Sequence, residues 1–207
     1  AEPERVPLEL LALQSGSAAY LSAIEILGCR DDDLTAPRRT HAAVLAAGAS
    51  HADAAWQFPL RDPGLPQTAE SILAHWNALH GGRAIERMEE HLVRRIRQWQ
   101  PDVIVTEDVS PRGDNPLAHL TNQVTLAAVQ KAADLTAYSD QVTLAGLAPW
   151  KVKKVLTLLP EGKQGLINIT PAQWAPRVGR SLADVAESGR GLILDDVSPS
   201  PRNVGLS

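Results

Sequence analysis

The sequence predicts an α/β protein in which a mostly parallel sheet is covered by helices on both faces. Three observations carry this expectation. From Arg83 onward, Ile85, Met88, Leu92, Ile96 and Trp99 recur at spacings of 3, 4, 4 and 3, which is the apolar stripe of an amphipathic helix. Pro101 ends that helix and "DVIVT" (102–106) follows as a near-continuous β-branched run. A long helix feeding a short, wholly apolar strand is what a parallel sheet buried on both faces requires. Apolar residues make up 44% of the chain but aromatics only 4%, and abundant alanine suits helices lying close on a sheet. At 207 residues the chain is long enough to bury one such core.

The remaining elements follow in order. "SAAYLSAIEILGC" (17–29) has an apolar helical rhythm ending at Gly28, so a helix is expected there. "PRRTHAAVLAAGA" (37–49) opens with proline where helices begin and predicts a second helix. In "AAWQFPL" (54–60), Trp56, Phe58 and Leu60 alternate as in a short strand, and Pro59 marks an edge or an end. "RDPGLP" (61–66) is loop chemistry. Thr68 caps a helix in "AESILAHWNALHGG" (69–82), which a glycine pair stops. Past "DVIVT", a helix is expected over Leu120–Ala137, and strands in "PWKVKKVLTLLP" (149–160) and "GLINIT" (165–170). "PAQWAPRVGRSLADVAES" (171–188) reads as a helix interrupted or delayed by Pro176. The expected organisation is one domain over 1–197 and a linker-like, mobile tail, "SPSPRNVGLS" (198–207).

Composition narrows the function. With 20 basic and 24 acidic residues the chain has no nucleic-acid footprint, and the basic run "LVRRIRQW" (92–99) reads as a solvated helix face. A single cysteine, Cys29, excludes an intrachain disulfide and a Cys-based zinc site. No stretch approaches the roughly 20 apolar residues of a membrane span. No signal peptide opens the chain, so the cytoplasm is the default compartment. The glycines of "QSGSAAY" and "ALHGGR" do not follow a strand, as a cofactor loop would require. No G-x-S-x-G elbow supports a serine hydrolase.

In parallel sheets the ligand site lies beyond the carboxyl ends of the strands. That directs attention to "RGDNPLAHLTNQ" (112–123), where Asp114, Asn115 and His119 are ligand-type residues. His51 and Asp53 in "GASHADAAW" form an H-x-D pair, read as a polar turn between helix and strand. The five tryptophans are expected mainly at helix–sheet contacts, although an aromatic face also suits a sugar ring.

Taken in order, "PRRTHAAVLAAGA", "FPLRDPGLP", "LVRRIRQWQPDVIVT", a polar His-containing loop, an Ala-rich helix and "GLAPWKVKKVLTL" resemble the LmbE/PIG-L family from about Pro37 to Leu159. The resemblance implies a Rossmann-like sandwich and zinc-dependent deacetylation of an amino-sugar conjugate. It implies substrate contact by Arg38 or Arg39, and contact with sugar hydroxyls by Asp62. His41 stands where the family has glutamate. "NPLAH" is one residue longer than the family's His-Pro-x-His, which makes His119 the candidate zinc ligand and puts Asn115 in place of an oxyanion-stabilising His. The His-Pro-Asp-Asp motif that ends the family's first strand is missing, so a lost first strand or a degenerate site is expected. "SHADA" mimics its letters but follows the Arg-Arg helix, so His51 and Asp53 are set aside as a decoy. A catalytic zinc needs about three protein ligands, and one is placed. Two readings remain: a deacetylase-family domain, incomplete or inactive in this span, or a non-catalytic carbohydrate-binding or structural module on the same fold.

Overall fold

The computed structural model describes residues 6–18, 21–30, 36–60, 67–107, 115–193 and 201–207. In chain order the elements are α1 (Leu8–Leu13), a π-turn (Gln14–Ala18), β1 (Ala23–Arg30), α2 (Ala36–Ala46), β2 (His51–Leu60), α3 (Ala69–Leu79) and α4 (Ala84–Trp99). Then come β3 (Val103–Glu107), α5 (Pro116–Ala132), α6 (Ser139–Thr143), β4 (Lys154–Leu158) and β5 (Ile167–Ile169). The last are β6 (Trp174–Ala175), β7 (Arg180–Ser181), α7 (Leu182–Ile193) and β8 (Val204–Leu206). Among the described residues no helix is long and apolar enough to cross a membrane.

The chain divides into two compact units, one of Ala1–Asp62 with Leu158–Ser207 and one of Pro63–Thr157. In the first, β1, α2 and β2 make a βαβ unit whose two strands run parallel, with Ile24 opposite Ala52, Glu25 opposite Asp53 and Ile26 opposite Ala54. The helix expected over 17–29 is therefore a strand from Ala23 onward. Short apolar runs fit either period, and here pairing with β2 decides. Gly28, read as a helix stop, sits at φ 78° where the register shifts between Leu27 and Cys29. It is a bulge, in a conformation that glycine adopts without cost.

Leu8 and Leu11 of α1, Val44 of α2, Ala47 just past its end, Ala52 of β2 and Ala186 of α7 belong to one buried cluster, with Ile24 packed against it. Alanine lets these elements approach closely. Gly189 of α7 lies so near α2 that a Cβ there would stand 2.5 Å from the Ala43 carbonyl oxygen. A buried ion pair, Glu9 with Arg190, ties α1 to α7. The helix expected over 171–188 is delayed: Trp174 and Ala175 pair with Ser181 and Arg180 in a small hairpin, and α7 starts after it. The residues expected as the end of a linker-like tail, Val204–Leu206, are all buried. They pair antiparallel with Ile167–Ile169, and Leu206 also pairs with Leu158. Val204 and Leu206 supply the apolar groups that a mobile tail lacks.

In the second unit the stripe of α4 is as expected at its centre, with Met88, Leu92 and Ile96 buried, while Ile85 is 37% exposed. Trp99 is half-buried, with the Arg95 guanidinium 5.3 Å above its ring. Thr68 caps α3 as expected, accepting from the Ser71 amide. β3 and β4 are neighbours, and the Lys153 and Lys154 amides both donate to the Asp102 carbonyl where the strands begin. α5 begins a turn earlier than expected because Asn115 caps it and Pro116 occupies its first turn, a position that needs no N–H. It ends at Ala132, short of Ala137. The next turns fold around Arg97, which is 1% exposed and donates to the carbonyls of Lys131, Ala132, Asp134, Ala137 and Tyr138.

Candidate functional site

The N-terminal half of α2 borders a cleft of about 260 Å³ in the first unit, lined by Ile26, Arg38, His41, Ala52, Asp53, Ala54 and Trp56. Arg38 and His41 lie three residues apart and so share a face of α2. β2 supplies the opposite wall. His51 and Asp53, read from the sequence as a polar turn, belong to this strand, which starts at His51 rather than near Ala54. Trp56 is 51% exposed at the rim.

The polar groups are oriented. His41 Nδ1 lies 2.9 Å from the Ala52 carbonyl. A carbonyl can only accept, so Nδ1 carries the hydrogen, and Nε2 is the acceptor when the ring is neutral. The His51 ring stands edge-on to it at 6.2 Å. Asp53 Oδ1 accepts from the Ala54 amide at 2.8 Å. Arg38 is exposed and makes no hydrogen bond or ion pair with a described residue.

The other sequence candidates fall in different places. Arg39 points along α2 to the end of α7, where Nε donates to the Leu192 carbonyl at 2.9 Å and Nη2 to that of Ile193 at 3.2 Å. It thereby satisfies helix-terminal carbonyls. Asp62 and Asp114 lie outside the described residues. Asn115 and His119 are in the second unit, a helical turn apart. The Asn115 Oδ1 accepts from the Ala118 amide at 2.8 Å as the cap of α5, which leaves its NH2 group as the end able to donate elsewhere. His119 Nδ1 is buried without a hydrogen-bond partner. Asn122 beside it ties α5 to the end of β3, donating to the Glu107 carbonyl at 2.6 Å.

Zinc, which the resemblance implies, calls for about three protein donors. Among the described residues no three His, Cys, Asp or Glu side chains group to hold an ion. His119, with its unpartnered buried nitrogen, is a donor of the right kind but stands without companions there, so the described donors do not make a zinc site.

No protein-family model and no curated protein sequence matches this chain. Solved structures do match it. The conserved protein TT1542 from Thermus thermophilus superposes with a TM-score of 0.54 at 14% identity, over 92% of this chain and 73% of that one. The N,N'-diacetylchitobiose deacetylase from Pyrococcus horikoshii, in complex with its inhibitor MPG, superposes with a TM-score of 0.59 at 14% identity, over 94% of this chain and 69% of that one. The chain shares the mixed α/β fold of these two structures. This agrees with the Rossmann-like class expected from the sequence.

The sequence did not single out the cleft as a site. In the sequence His41 is only a departure from the family's glutamate, and Asp53 belongs to an H-x-D pair that reads as a polar turn. The signal that was available is the alternation of His51 and Asp53 with Ala52 and Ala54. A period of two extends β2 backwards and brings these side chains beside the helix that carries Arg38.

Proposed function

We propose that this chain is an amino-sugar-binding domain of the LmbE/PIG-L type, with its sugar site in the cleft between α2 and β2 and no deacetylase activity of its own. The observation that carries the proposal is the convergence of Arg38, His41, Asp53 and Trp56 on one cleft of about 260 Å³. A pyranose ring offers an apolar face to an indole and a rim of hydroxyls to charged and polar groups. Pockets that bind small molecules combine apolar walls with a few fixed polar groups in this way. Asp62, in the chain that leaves β2, is assigned to sugar hydroxyls on the resemblance alone.

The second reading is a metal-dependent deacetylase, and the unpartnered Nδ1 of His119 favours it. In that reading His119 would be a zinc ligand and the Asn115 NH2 group a donor to the developing oxyanion. No described residue supplies the companion ligands, and no hydrolytic step is assigned.

The test is a titration with N,N'-diacetylchitobiose, the sugar in the name of the Pyrococcus enzyme, followed by tryptophan fluorescence with and without chelator. Acetate release is measured in parallel. The proposal requires saturable binding that ignores the chelator, and no acetate. Binding lost on chelation, or zinc-dependent release of acetate by the purified chain, would replace it with the deacetylase reading.

A further inference from the structure

We infer that the second unit carries a docking surface for an anionic lipid bilayer, built where the end of α4 meets the segment leading into β4. The inference is independent of the sugar-binding reading. The basic run 92–99, which the sequence presents as a solvated helix face, is joined by a second basic segment. The Trp150 indole donates to the Pro101 carbonyl at 2.7 Å. The Lys153 and Lys154 amides donate to the Asp102 carbonyl at 2.9 and 3.2 Å. These bonds hold Lys151, Lys153 and Lys154 against the turn that follows Arg94 and Arg95. Basic side chains from two distant stretches thus share one end of the unit, in a chain whose formal net charge is −4.

The acidic groups of the same stretches leave much of this charge uncompensated. Asp102 is taken up by Lys153 at 3.0 Å. Asp134 Oδ1 accepts from the amide and the hydroxyl of Thr136, and Asp140 sits in the first turn of α6. Arg94, Lys151 and Lys154 are exposed and make no side-chain hydrogen bond or ion pair with a described residue.

Exposed apolar side chains accompany the cations. Val103 is 47% exposed where β3 begins, Leu135 64% exposed past the end of α5, and Leu144 83% exposed before Trp150. The Trp150 amide donates to the Ala132 carbonyl, which puts the end of α5 beside the lysine segment. A nucleic-acid backbone would use the cations and gain nothing from bare leucines. An anionic bilayer uses both: leucines enter the acyl boundary while lysines and arginines meet the charged headgroups. Each basic side chain near such a surface strengthens binding about fivefold, and salt screens the effect.

The experiment is co-sedimentation of the full chain with vesicles of phosphatidylcholine alone or mixed with phosphatidylserine, at low and high salt. Binding to duplex DNA is measured in parallel. The native chain should bind the mixed vesicles, more weakly at high salt, and bind the neutral ones at least about tenfold less. Lys151→Gln combined with Lys154→Gln should weaken vesicle binding at least about tenfold. Leu135→Ser combined with Leu144→Ser should weaken it too. All four residues are exposed, so matching thermal melts will show both variants folded. No binding to the mixed vesicles overturns the inference, as does equal binding to both kinds. DNA bound as tightly as the mixed vesicles, with the leucine variant unchanged, replaces the bilayer with a nucleic-acid surface. Undiminished vesicle binding by the lysine variant removes the surface from this end of the unit.

Discussion

The Arg97 guanidinium donates to the Asp134 carbonyl at 2.7 Å, from a position almost sealed from solvent. Its remaining donors go to carbonyls between Lys131 and Tyr138 and to the Gln141 side chain. One side chain of α4 thus replaces water for the carbonyls at the end of α5 and in the chain that follows. Burial lowers the Arg97 pKa from its usual value, and the nearby Asp134 carboxylate works in the other direction. Arg97→Met should leave several buried acceptors unsatisfied and cost on the order of 3–5 kcal/mol. Urea unfolding checks this; a loss within about 0.5 kcal/mol, the size of an ordinary surface change, would contradict it.

Two glycines of α7 should respond with opposite signs to the same substitution. A Cβ at Gly189 would stand 2.5 Å from the Ala43 carbonyl oxygen, whereas one at Gly191 meets nothing within 4 Å. Gly189→Ala should therefore force α2 and α7 apart and cost about 1–3 kcal/mol. Gly191→Ala should stabilise by about 0.5–1 kcal/mol, because alanine gives up less conformational freedom in a helix. Thermal melts of the two variants decide it.

At the start of α7, the Ser181 amide donates to Asp184 Oδ2 and the Asp184 amide donates to Ser181 Oγ, both at 3.1 Å. The Ser181 side-chain bond, then its backbone bond, hold the Asp184 carboxyl below its usual pKa, with help from Arg180. Because the folded value lies below the unfolded one, the stabilisation is fully present above about pH 4–5 and is lost as pH falls through the folded value. Asp184→Asn should melt below the native chain at about pH 6, and the difference should shrink as pH falls through and below the ordinary carboxylate range. A gap that stays constant across that range would refute the role of the charge.

Trp56 should matter for ligand and not for fold. It is 51% exposed, so Trp56→Ala should change stability by no more than about 0.5 kcal/mol. Loss of the indole face should weaken sugar binding about tenfold. Calorimetry on the folded variant measures both quantities.

The elements that were legible in the sequence are those whose signal is local. The α4 stripe, the Thr68 cap and the β-branched "DVIVT" run each declare themselves within one window. β1 did not, because "AIEIL" satisfies the helical and the extended period alike, and only its partner β2 resolves the choice. β8 did not, because Val204 and Leu206, two apolar side chains between a proline-rich stretch and the last residue, become a strand only through β5, nearly 40 residues earlier in the chain. The cleft was hidden for the same reason. Ile26, Arg38, His41, Asp53 and Trp56 come from three elements, and none of them is distinctive until β1, α2 and β2 have packed. Arg38 and Arg39 show the limit most sharply: they are neighbours of the same type, yet one turns to the cleft and the other to the end of α7.

The pair of Glu9 with Arg190 joins residues 181 apart in sequence, and this has a consequence for biosynthesis. The first unit is assembled from both flanks of the chain, and Pro63–Thr157 lies between those flanks in sequence. A ribosome delivers the whole of that intervening segment before it makes α7 and β8. During that interval α1, α2 and β1 wait with their alanine-lined surfaces uncovered, while the second unit already holds all of its own residues. The order of translation thus assigns any need for chaperone protection to the first unit.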